Sequence, residues 1–144
     1  MSAQILVIDD ELDMLSFIRL ILTEKTDYEI TTTNNLLEVS NLLNEKKFDV
    51  IVTDLKMPIM DGVDVVDAIH KQDALVPIII ITAYGSVESA EEAVKKGAFD
   101  YITKPFRQEQ LLISLKRALE WYALKKEYLE LREKLIKSQE AEKS

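Results

Sequence analysis

The 144-residue chain contains no cysteine, which removes disulfides and thiol chemistry and fits a cytoplasmic protein. Glycine and proline occur only three times each, and with 47% hydrophobic and 31% charged residues the composition is that of a soluble globular domain. No apolar run is long enough to cross a bilayer: Val76 to Ile81 is short and interrupted by Pro77. The N-terminus shows no basic segment leading into an apolar one, so no signal peptide is expected. The lone histidine, His70, lies in a helix-like segment with no ligand partner in sequence and reads as a surface or packing residue. The net charge of −8 disfavours nucleic acid as a direct partner of this segment, and any DNA contact would need another domain.

What the chain does have is a set of short apolar runs, each stopped by a reactive residue. Asp9 and Asp10 end Ile5-Leu6-Val7-Ile8, and Asp54 follows Val50-Ile51-Val52-Thr53. Thr82 follows Ile78-Ile79-Ile80-Ile81, and Lys104 comes just after Tyr101-Ile102-Thr103. Continuously apolar runs separated by helix-like segments read as parallel strands buried on both faces. In such a sheet the strands end at one edge, and ligands bind in the crevice outside their carboxyl ends. Three carboxylates, a hydroxyl and an ammonium therefore converge, which suits a divalent cation and a phosphoryl group. Asp9 or Asp10 alone reads equally well as a helix cap. Their pairing opposite a third carboxylate is harder to explain that way. Like charges about 4 Å apart cost about 4 kcal/mol per pair at an effective dielectric of 20. A hard cation such as Mg²⁺, which prefers oxygen ligands, offsets that cost.

The pattern predicts strands near 4–8, 28–33, 48–53, 77–81 and 99–102, and helices near 11–25, 35–46, 62–71, 87–96 and 107–139. Asn35, with Glu38 three residues on, suits an N-terminal cap. Ser86 suits another, and Gly97 stands where the C′ residue of the fourth helix belongs. The fold class is α/β, a doubly wound five-stranded parallel sheet with an extended C-terminal helix. A cluster of Asp9, Asp10 and Asp54 requires the first and third strands to be neighbours, which selects the order 2-1-3-4-5. In the last helix Leu112, Leu115, Leu119 and Tyr122 form a stripe suited to the sheet. Trp121, Leu124, Tyr128, Leu131 and Leu135 form a second stripe on the opposite side, expected to be the seam of a homodimer. The expected division is a domain at 1–122 and a helical coiled-coil linker at 123–144.

These residues resemble the receiver domain of bacterial two-component response regulators. The resemblance rests on Val7-Ile8-Asp9-Asp10-Glu11, on Thr53-Asp54-Leu55-Lys56-Met57-Pro58 with Asp61-Gly62, on Ile81-Thr82-Ala83-Tyr84-Gly85, and on Gly97 through Phe106 with its Thr103-Lys104-Pro105 turn. It implies that Asp54 accepts a phosphoryl group from a sensor histidine kinase. Asp10 and Asp54 would bind Mg²⁺ directly, Asp9 through water, and the Lys56 carbonyl as a further ligand. Lys104 and Thr82 would contact the phosphoryl oxygens, Tyr101 would turn inward with Thr82 as the switch, and the Lys104–Pro105 bond would be cis. Tyr84, near the crevice mouth, is a candidate shield against water. The end of the chain is most similar to the receiver and linker of enhancer-binding transcriptional activators.

Two other functions fit parts of the pattern. A free-standing relay would pass phosphate from Asp54 to a histidine carrier, but needs no extended helix. A Mg²⁺-dependent hydrolase would carry Asp-x-Asp after its first strand, whereas the nucleophile candidate here follows the third. The expectation is thus a phosphoacceptor signalling domain whose only catalysis is its own phosphorylation and dephosphorylation.

Overall fold

The computed structural model describes residues 2–55, 62–83 and 86–143. Five strands, β1 (Gln4–Ile8), β2 (Glu29–Thr33), β3 (Val50–Asp54), β4 (Ile78–Ala83) and β5 (Asp100–Lys104), alternate with five helices. These are α1 (Leu12–Lys25), α2 (Leu36–Glu45), α3 (Gly62–Gln72), α4 (Val87–Lys95) and α5 (Gln108–Lys143). The strands form one parallel sheet in the order β2-β1-β3-β4-β5, as the acidic cluster requires.

Period-2 alternation divides the core between the two faces. Leu6, Ile8, Ile51, Ile78 and Ile80 meet Val39, Val65, Ile69, Ala90 and Ala93 of α2, α3 and α4. Ile5, Val7, Val52, Ile79 and Ile81 meet Leu15, Ile18 and Leu22 of α1 and Leu111, Leu115 and Ala118 of α5. Both faces are covered, so the three central strands tolerate almost no polar residue before their ends. The edge strand β2, with its Thr31-Thr32-Thr33 run, is only partly buried.

Three local expectations need correction. β3 begins at Val50 rather than at position 48: Asp49 exchanges backbone contact with Gln4 across the strand entrance, and its Oδ2 accepts the Gln4 N–H at 2.8 Å. Ser86 makes no side-chain cap to α4. In α5 the fully buried stripe is Leu111, Leu115, Ala118 and Tyr122, while Leu112 and Leu119 are half-buried flanks. Adjacent leucines at 111 and 112 left the helical phase ambiguous in sequence.

Other punctuation agrees with expectation. Asn35 Oδ1 accepts the Leu37 N–H at 2.9 Å, although Glu38 does not close the box and instead accepts the Thr33 hydroxyl at 2.8 Å. Gly97 adopts φ +128°, a conformation costly for any residue with a Cβ. His70 packs beside Gly97, and its Nε2 lies 3.0 Å from the Val76 carbonyl oxygen. The Lys104–Pro105 peptide is cis.

Candidate functional site

Each site residue is delivered by the end of a strand. The β-ladder continues past the apolar runs, pairing Asp54 with Ile81, Thr82 with Thr103 and Ala83 with Lys104. Strand geometry therefore fixes Asp54, Thr82 and Lys104, while Asp9 and Asp10 follow β1 directly. A crevice of about 210 Å³ opens there, lined by Asp10, Glu11, Asp54, Thr82, Ser86 and Lys104 among others.

Asp9, Asp10, Glu11 and Asp54 each bring a carboxylate oxygen within 4.8 Å of the others. Lys104 Nζ lies 3.4 Å from Asp54 Oδ2 and 3.9 Å from Asp9 Oδ2. Among the described residues one ammonium faces four carboxylates, which leaves their sum negative. Hard oxygen donors in that number fit a divalent metal ion. Glu11, not expected to join the cluster, was hidden by its position one residue beyond the Asp pair.

Burial separates the two adjacent aspartates. Asp10 is exposed, whereas Asp9 is 1% exposed and accepts the Glu11 N–H at 2.9 Å. Burial, with smaller additions from Asp54 and Asp10, pushes the Asp9 carboxyl up to about 6 against the opposing pull of the Glu11 N–H and Lys104. The electrostatic strain thus falls on Asp9. A carboxyl that binds its proton more tightly folded than unfolded makes the native state lose stability as pH rises. For metal-free protein that loss falls between the ordinary value of 3.8 and about 6, and amounts to about 3 kcal/mol at most. Asp9→Asn should flatten this segment of the stability–pH curve, measured by urea denaturation in EDTA. An unaltered slope in the variant would assign the effect to another group.

Thr82 is fully buried, and its hydroxyl has two backbone acceptors within reach, the Ala83 carbonyl at 3.2 Å and the Ser86 carbonyl at 3.4 Å. It is thereby tied to the start of α4. Tyr101 is half-buried, with its hydroxyl 3.5 Å from Glu91 Oε1 of α4. Lys56 and Tyr84, expected as a metal ligand and a shield, lie outside the described residues.

The family model for the response regulator receiver domain matches residues 5–116. The chain belongs to the response regulator receiver family. A putative NtrX-like response regulator of Rickettsia bellii is 37% identical over 134 residues, covering 92% of this chain and 28% of that protein. The regulatory protein AtoC of Escherichia coli K12 is 33% identical over 135 residues, covering 94% of this chain and 29% of AtoC. Among solved structures, a response regulator receiver domain protein from Clostridium thermocellum superposes with a TM-score of 0.79 at 35% identity, covering 85% of this chain and 98% of that one. This receiver chain thus spans less than a third of the curated relatives it matches.

The same receiver presents features that no motif announced. Leu12, Phe17 and Leu20 of α1 are exposed, and Phe17 meets Phe106, just past Lys104, with ring centroids 5.9 Å apart. This apolar surface adjoins the crevice through Asp10, Glu11 and Leu12. Among the described residues no helix is long and apolar enough to cross a membrane.

Proposed function

We propose that Asp54 accepts a phosphoryl group from the phosphohistidine of a sensor kinase and that the resulting aspartyl phosphate is the signal this domain carries. The observation that carries this reading is Asp54 at a strand end, 3.4 Å from the Lys104 ammonium and within a cluster of carboxylates. An Asp54 carboxylate oxygen attacks phosphorus, the P–N bond to the donor imidazole breaks, and the imidazole leaves with the bond's electron pair. Lys104 faces the charge on the transferring oxygens. Asp9, Asp10 and Asp54, with the Lys56 carbonyl, are the proposed ligands of Mg²⁺, which when bound supplies positive charge to the phosphoryl oxygens. Incubation with acetyl phosphate and Mg²⁺ should add one phosphoryl mass, and EDTA should prevent it.

Phosphorylation is read out by Thr82 and Tyr101. A hydrogen bond from the Thr82 hydroxyl to a phosphoryl oxygen competes with its bonds to the Ala83 and Ser86 carbonyls. A bond to a charged acceptor is worth about 1.5–3 kcal/mol, enough to shift a two-state equilibrium about 10- to 100-fold. Tyr101 turning inward would then remodel the face formed by α4, β5 and α5.

A protein donor must dock beside Asp54, and the apolar surface of Leu12, Phe17 and Phe106 is suited to that contact. Leu12→Asp should slow phosphotransfer from the kinase about 10-fold while leaving phosphorylation by acetyl phosphate unchanged. Equal losses with both donors would mean that the substitution damages the crevice rather than docking.

Residues 123–144 are proposed as a helical linker that joins two receivers and leads to a transcriptional output domain. The similarity to AtoC and NtrX-like regulators supports that output. The uninterrupted 36-residue α5 supports the linker. A relay carrier would have no use for such a helix.

A further inference from the structure

Trp121 stands between two surfaces of α5. At about 100° per residue it lies about 60° from Ala118 on one side and about 60° from Leu124 on the other. Ala118 is fully buried and Leu124 is 67% exposed, whereas Trp121 is 40% exposed. Its indole meets the Phe99 ring with centroids 5.8 Å apart and planes tilted by 52°. Beside the pair lies a hollow of about 240 Å³, lined by His70, Leu75, Pro77 and Gly97 among others. The indole is neither sealed in the core nor clear of it.

The backbone under Trp121 is held more firmly than its side chain. Tyr122, next in the chain, is 1% exposed and seated in the domain. One turn on, the Lys126 ammonium lies 4.3 Å over the Tyr122 ring and 3.9 Å from Asp49 Oδ1. Motion is left to the indole, which in a helix has two χ1 settings, about 180° and about −60°. Phe99 is placed differently. It directly precedes β5, the strand of Tyr101 and Lys104, and its N–H donates to the Ile78 carbonyl of β4 at 2.8 Å. Phe99 therefore follows the two strands whose far ends face the phosphorylation crevice.

We propose that Trp121 has two seats, one against Phe99 and one in the seam with a second copy of this chain, and that β5 sets which is taken. The proposal rests on the homodimer seam of Leu124, Tyr128, Leu131 and Leu135. Trp121 extends that stripe by one three-residue step toward the receiver, so a second copy is the occupant its outer seat fits. Aromatic pairs are favourable at centroid distances of about 4.5–7 Å. The Phe99–Trp121 pair already lies in that range, so a shift of β5 loosens it. Phosphorylation at Asp54 then frees the indole to lengthen the seam.

The test reads the only tryptophan of the chain by acrylamide quenching, with dimer affinity from sedimentation of the full 144 residues. Between about 1 μM and about 100 μM, a range that brackets a micromolar dimer, quenching of the wild type should fall as the indole enters the seam. Phe99→Leu keeps an apolar side chain but removes the ring pair, and should tighten the dimer about 3- to 10-fold with phosphorylation by acetyl phosphate unchanged. Phe99→Tyr, which keeps the ring, should match the wild type. In the Leu124→Asp, Leu131→Asp background, where no seam forms, both Phe99→Leu and beryllofluoride should raise quenching. An equal or weaker dimer in Phe99→Leu, a Phe99→Tyr variant that behaves like it, or quenching in that background unmoved by either change would overturn the proposal and leave the seam standing. A wild-type chain that stays monomeric at about 100 μM would overturn it together with the seam.

Discussion

Asp54→Asn should leave the fold intact and reduce phosphate incorporation from acetyl phosphate or a cognate kinase by about 100-fold or more. An amide is isosteric with the carboxylate but lacks the anionic nucleophile. Asp54 is 9% exposed and pairs with Lys104, so the substitution also removes a charge from the crowded cluster. The variant's metal-free form should therefore be at least as stable as the wild type. That outcome separates lost chemistry from lost structure. Intact mass after incubation with acetyl phosphate and Mg²⁺ reads the phosphoryl group directly. Label retained at the wild-type level would reject Asp54 as acceptor. Residual label moved to Asp10 or Glu11, which share the cluster, would instead be mapped by peptide mass and would leave the primary assignment standing.

The strand order followed from chemistry before geometry, since only neighbouring β1 and β3 bring Asp9 and Asp54 together. The central strands were legible because burial on both faces forces unbroken apolar runs such as Ile78 to Ile81. Their ends were less so. Sequence hydropathy stops at Ile81, yet the ladder carries Thr82 and Ala83 as well, because hydrogen bonding does not require an apolar side chain. Thr82 and Lys104 could be named from their place after the runs. Ser86 was misread as a cap because serine before a helix commonly is one. Its carbonyl, within 3.4 Å of the Thr82 hydroxyl, carries no sequence signal. Gln4 and Asp49 were equally silent, being far apart in the chain and joined only where β1 and the start of β3 meet. The apolar surface of α1 was hidden for another reason: Leu12, Phe17 and Leu20 look like core residues until the helix phase is known.

A second substitution should separate assembly from phosphorylation. Leu124→Asp with Leu131→Asp should convert a dimer held by α5 into monomers that still accept phosphate at Asp54. α5 runs without a break for 36 residues, which at 1.5 Å per residue is about 54 Å, well beyond the sheet. Its inner stripe is used up in the domain by Tyr122, while Leu124, Tyr128, Leu131 and Leu135 remain 67%, 56%, 54% and 64% exposed. Trp121, the first residue of the seam, is partly committed to its own domain through Phe99, at 5.8 Å between ring centroids. The proposed seam would therefore begin at Leu124. Covering a leucine is worth about 1.5–3 kcal/mol, and in a two-fold pair each position counts twice. Two aspartates per chain would replace that gain with facing like charges. A second copy is the natural occupant because the stripe keeps a 3-4 spacing with Lys, Arg and Glu between, as in a parallel coiled coil. The short seam limits affinity, so sedimentation should be run up to about 100 μM, where a micromolar dimer is essentially complete. A wild-type chain that sediments as a monomer there, with and without a beryllofluoride mimic of the phosphoryl group, would remove the seam from the proposed function while leaving the chemistry at Asp54 intact.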